Sequence, residues 1–77
     1  MSDTYEQVSA VTAEILKIDV SRIEPQSRFV EDLGAESIQS VELMAGFEDA
    51  FDVDIDEQAA FQVKTVGDAA AFIDALL

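Results

Sequence analysis

Three stretches of this chain space their apolar residues at a helical period, and none sustains the two-residue alternation of a half-buried strand. In the first, about Thr4 to Lys17, one side of a 3.6-residue wheel carries Tyr5, Val8, Val11, Thr12, Ile15 and Leu16. Glu6, Ala13, Glu14 and Lys17 fall opposite, and Asp3 with Glu6 has the spacing of a capping box with Asp in place of Ser or Thr. The second stretch runs from Ser37 to Phe51. The third starts near Thr65 or Val66 and stripes Val66, Ala69, Ala70, Ile73, Leu76 and Leu77, with Asp68 well placed in its first turn. A short helical turn, about Glu57 to Gln62, precedes it. These segments predict an all-α fold, a small four-helix bundle of three main helices plus one short one, in a single domain over residues 1–77.

The segment Ile18 to Glu36 has no sustained period and holds the only proline, Pro25. A structureless connection this long is unusual in a small domain. Ile23, Phe29, Val30 and Leu33 are therefore expected to pin this long first loop to the core, and Gly34 gives backbone freedom just ahead of the second helix. The alternation Asp52-Val53-Asp54-Ile55-Asp56 begins like a calcium loop, but Glu57 stands where that loop needs Gly and Val63 where it needs Glu. It reads as a connection that buries Val53 and Ile55 and solvates its acids.

Composition sets what such a bundle can do. Seventeen Asp and Glu against four Lys and Arg give a net charge of −13, yet 49% of the 77 residues are hydrophobic, which separates the chain from disordered acidic sequences. The charge excludes nucleic acid and anionic membrane surfaces as partners and favours proteins with basic patches. No apolar run approaches the length of a membrane span, and the N-terminus carries no targeting pattern. With no Cys and no His, neither a Ser-His nor a Cys-His pair can be built, and any metal ligand would be a carboxylate. The chain is expected to be a cytoplasmic monomer, to hold no metal and not to be an enzyme.

The second helix is two-faced. Ser40, Leu43, Met44, Phe47 and Phe51 form a core stripe. Opposite lie Ile38, Val41, Glu42, Ala45 and Asp49, with Ser37, Glu48 and Asp52 nearby. One reading tucks Val41 into the core margin and Ile38 under the preceding loop. The other makes this a docking face, apolar at its centre and acidic at its rim. Ser37 opens the helix, where the ordinary role of a serine is the N-cap.

The stretch Phe29-Val30-Glu31-Asp32-Leu33-Gly34-Ala35-Glu36-Ser37-Ile38-Gln39-Ser40-Val41-Glu42-Leu43 resembles the signature of acyl carrier proteins. The likeness continues through Phe47-Glu48-Asp49-Ala50-Phe51, Ile55 and Lys64-Thr65-Val66-Gly67-Asp68. The resemblance implies that Ser37 receives 4′-phosphopantetheine from coenzyme A through a phosphopantetheinyl transferase, and that the arm's thiol carries acyl groups as thioesters between enzymes of fatty-acid or related biosynthesis. It also implies that synthases and acyltransferases with basic patches dock on Glu36, Ile38, Val41, Glu42, Ala45, Glu48 and Asp49. Leu43, Met44, Phe47, Phe51, Val63 and Ile73 are the residues expected to line a shelter for the acyl chain. Glu36 and Ile38 depart from the Asp and Leu usual beside the serine, Ala45 is smaller than its counterparts, and Gly46 interrupts the helix. Asp56 replaces a frequent Pro, and Phe61 stands where charge is common. These departures point to a specialised carrier. Aminoacyl, peptidyl and polyketide carriers are related alternatives, as is an unmodified acidic module that binds a basic surface.

Ten of the seventeen acids lie between Phe29 and Val63, an interval without Lys or Arg. Screening their repulsion should raise the melting temperature as salt or divalent cation is added. A melting temperature that stays flat from low to high salt would contradict this.

Overall fold

The computed structural model describes residues 3–77. Four α-helices follow one another as α1 (Asp3–Leu16), α2 (Ser37–Phe51), α3 (Glu57–Ala60) and α4 (Val66–Leu76), with a 3₁₀ turn at Val20–Arg22 in the long first loop. Among the described residues there is no strand, only one isolated bridge between Arg28 and Thr65. The expected bundle is therefore the observed one. Its short helix is a single turn, with Phe61 and Gln62 in the turn that follows.

Helix α1 is the central strut and packs along both α2 and α4. Val8 and Thr12 are fully buried, and the Thr12 hydroxyl donates to Val8 O at 2.8 Å. Because two helices flank α1, its buried arc is wider than the apolar stripe alone. Thr4 and Ser9 are buried too, and Ala13, expected on the solvent side, packs against the core. Thr4 Oγ1 donates to Asp74 Oδ1 at 2.6 Å and so ties α1 to α4. Asp3 lies inside α1 and is not its cap. The helix stops where Lys17 takes a left-handed φ of 57° and Ile18 N–H donates to Ala13 O at 3.0 Å.

Two glycines mark close approaches. A Cβ on Gly46 would stand 2.7 Å from Ile15 Cδ1 and 3.1 Å from Val11 Cγ1, so the bare backbone of α2 lets α1 seat against it. This explains a glycine inside a helix, where it costs about 1 kcal/mol relative to alanine. Gly67, in the first turn of α4, donates its N–H to Pro25 O at 2.8 Å, and a Cβ there would meet that same oxygen at 2.8 Å.

The long loop is stapled to the start of α4 by that bond and two more, Val66 N–H to Ser27 O at 3.0 Å and Phe29 N–H to Lys64 O at 3.1 Å. Ile23, Phe29, Leu33 and Ala35 enter the core, and the Phe29 ring meets Phe47 with centroids 6.4 Å apart. Val30, expected among these anchors, points to solvent. In α4, Val66, Ala69, Ala70 and Ile73 are buried, but Leu76 and Leu77 run past the end of the core and are exposed. Thr65 caps α4 by accepting from Asp68 N at 3.0 Å, and Asp68 returns the contact by accepting from Thr65 N at 3.3 Å.

Gly67→Ala should destabilise the fold by about 1–3 kcal/mol, because the obstructing atom is a backbone oxygen that cannot turn aside. Gly46→Ala should cost less, since its obstacle is the end of a flexible Ile side chain and helix propensity improves. Urea denaturation of the two variants checks this order, and equal midpoints would contradict it.

Candidate functional site

The start of α2 is built by the turn that precedes it. Asp32 and Leu33 N–H both donate to Arg28 O at 3.0 Å, Gly34 N–H to Val30 O at 3.1 Å, and Ala35 N–H to Phe29 O at 2.9 Å. Gly34 has φ +73°, a left-handed conformation that a side chain would strain. The turn delivers Glu36, not Ser37, as the N-cap of α2, and Glu36 N–H donates to Gln39 Oε1 at 2.9 Å. Ser37 is the first helical residue. It is exposed, and among the described residues no hydrogen bond engages its hydroxyl. The capping role expected of a serine here belongs to its neighbour, which leaves the Ser37 oxygen free.

Leu43 and Phe47 are buried beneath α2, with Met44 and Phe51 half-buried, while Ile38 is 69% and Val41 62% exposed. Neither aliphatic folds into the core margin or under the loop. With exposed Ala45 they make an apolar stripe along the outer face, starting one residue after Ser37. Ser40, placed on the core side by the wheel, is exposed, and its hydroxyl lies 3.5 Å from Glu36 O.

The acids divide by task. Asp32 accepts from Arg28 N at 2.8 Å and from Arg28 Nε at 3.2 Å, and Glu31 lies 3.7 Å from the same Nε. Glu48 is half-buried and accepts from Ile55 N at 2.8 Å, which holds the connection after α2. Asp56 caps α3 by accepting from Gln58 N at 3.0 Å. Asp52 ends α2 in a left-handed φ of 54°. Glu42 and Asp49 have no ion pair or side-chain hydrogen bond among the described residues, and both are exposed beside the Val41–Ala45 stripe. Of the seven residues proposed for docking, Ile38, Val41, Glu42, Ala45 and Asp49 thus share one open face. Glu48 is committed to the backbone, and Glu36 is exposed at the N-cap position beside Ser37.

A cavity of about 340 Å³ lies under α2, walled by the long loop, α3 and α4. Five of the six expected lining residues, Leu43, Met44, Phe47, Val63 and Ile73, line it. Phe51 does not; it packs half-buried against the core one turn beyond Phe47. The sequence reading missed Phe29, Ile55, Ala69 and Phe72. Phe29 sits in an aperiodic loop, where no wheel assigns a face. Phe72 and Ala69 lie on a helix whose stripe is generally apolar.

A family model described as the phosphopantetheine attachment site matches residues 6–73. That defines the class, a domain whose prosthetic group is 4′-phosphopantetheine. An acyl carrier protein of Helicobacter hepaticus is 44% identical over 73 residues, which cover 95% of this chain and 96% of that protein. The chain belongs to the acyl carrier protein family, whose members are carriers rather than catalysts. No helix among the described residues is long and apolar enough to cross a membrane.

Hydrogen bonds from the Arg28 side chain and backbone hold the Asp32 carboxyl below its usual 3.8. A carboxylate shifted down stabilises the fold above the unfolded value, and that contribution disappears as pH falls through the lowered one. Asp32→Asn should therefore melt below Asp49→Asn at neutral pH, although each removes one charge. The gap should close once the pH drops below the lowered Asp32 value. A gap that persists in strong acid would contradict this origin.

Proposed function

We propose that Ser37 is the attachment point of the phosphopantetheine arm, and that the chain shuttles acyl groups between enzymes of fatty-acid or related acyl-chain biosynthesis. The observation that carries this reading is the hydroxyl of Ser37, exposed and unbonded at the first position of a fifteen-residue helix while Glu36 does the capping. A serine occupied as a cap would have to surrender that bond on modification. This one surrenders nothing.

The site suits a phosphodiester. The first-turn N–H groups of Ser37 and Ile38 lie outside the intrahelical ladder, and the helix dipole places partial positive charge beside the Ser37 oxygen. When attached, the arm supplies the terminal thiol that holds acyl groups as thioesters, a group this cysteine-free polypeptide cannot provide. The chain has no histidine, and the proton of Ser37 Oγ is assigned here to a base on the transferase.

Docking follows from the open face of α2. Glu42 and Asp49 supply unpaired negative charge that steers a basic partner, and Ile38, Val41 and Ala45 supply a small apolar contact once it arrives. A contact this small and this exposed to salt releases quickly, which a shuttle requires. The phosphopantetheinyl transferase, synthases and acyltransferases are the partners this reading names, with the cytoplasm as the compartment. The short Ala45 side chain and β-branched Ile38 favour partners shaped for a shallower stripe than larger residues would present, in keeping with a specialised carrier.

Incubation with coenzyme A and a phosphopantetheinyl transferase should add one phosphopantetheinyl group to the intact mass, and Ser37→Ala should abolish the gain. An unmodified parent chain, or a Ser37→Ala chain that still gains the group, would overturn the assignment.

A further inference from the structure

The mouth of the cavity differs from its interior. Leu43, Phe47 and Ile73 are buried inside, whereas Val30, Val41 and Phe61 line the same space and are exposed. Phe61, at 76%, is the most exposed large apolar residue among those described. Three large apolar side chains around one opening form a patch that water solvates poorly and that a ligand would cover. The Phe61 ring follows α3, a single turn with no buried side chain. An element with so little packing shifts at small cost.

Charge at the rim narrows the occupant. Glu31, Glu57 and Lys64 stand at the cavity wall, two acids against one base, in a chain of net charge −13. A free fatty acid or another anion would enter against that field. A neutral chain brought in on a covalent arm would not.

We propose that Phe61 is the closing residue of this cavity, folding its ring over a neutral apolar acyl chain carried from Ser37 and thereby setting how long that chain stays sheltered. The contact exchanges water on Phe61, Val30 and Val41 for the chain's methylenes. An aromatic at this position then selects apolar chains over those with a polar end. This rests on the carrier reading above and adds to it a residue that the helical wheel did not place in the lining.

The chain has no tryptophan, so Phe61→Trp places a single indole at the mouth, read by excitation above the absorption of Tyr5. The form bearing the arm alone is compared with the octanoyl form, made from octanoyl-coenzyme A by a phosphopantetheinyl transferase and verified by intact mass. Octanoyl loading should move the emission to the blue and lower acrylamide quenching about twofold, as expected for an indole leaving water. Val20→Trp, exposed but outside the cavity, should not respond. In the otherwise native sequence, Phe61→Ser should shorten the life of the octanoyl thioester in hydroxylamine about threefold, and Phe61→Leu should restore most of it. A loaded protein with unchanged Phe61→Trp emission, an equal response at Val20→Trp, or an unchanged thioester life would overturn the role of Phe61 and leave the carrier reading standing. A chain that cannot be loaded would overturn both.

Discussion

The packing of α1 against both α2 and α4 is the contact on which the rest depends. Where α1 meets α2, Ile15 Cδ1 fills the space beside the bare backbone of Gly46. Leu43 and Phe47 point inward, and Phe47 meets Phe29 from the long loop. Ile38 and Val41 stand away from that packed face and are exposed, Val41 at the edge of the cavity. Ser37 begins this helix and shares its outward aspect.

Electrostatics divides the acids in a way that net charge conceals. Arg28 takes Glu31 and Asp32 into an ion-paired turn that leads to the serine. Glu48 and Asp56 hold backbone N–H groups around α3. The acids left free beside the apolar stripe are few, Glu42 and Asp49 foremost, and they lie where the proposed partners would arrive. A surface of this kind trades stability for steering. The trade is tolerable because hydrogen bonds between the long loop and α4 close the far side of the bundle.

The helical period made α2 legible in the sequence to its first and last residue, since the core stripe and the serine-led start both lie within one continuous wheel. The same method misplaced Ala13 on α1 and overextended the stripe of α4 to Leu76 and Leu77. Periodicity reports which side of a helix is apolar but not how many neighbours flank it or where the core stops. The cap at Glu36 was hidden for a different reason. Ser, Asp and Asn lead the cap preference, and only the turn set by Gly34 and Arg28 shows that Glu36, not Ser37, takes the cap position. Part of the cavity wall was also out of reach, because Phe29 and Ile55 lie in connections without a period.

The proposed docking surface is one face of α2, beginning at Ser37, and α1 and α4 pack on the other side of the bundle's core. Titrating isotopically labelled protein with a phosphopantetheinyl transferase and following each backbone amide by NMR tests this directly. The largest perturbations should fall on Ser37, Ile38, Val41, Glu42, Ala45 and Asp49 and fade as salt is raised. Perturbations centred on the exposed sides of α1 or α4, at Ala10, Glu14 or Ala71, would contradict the account.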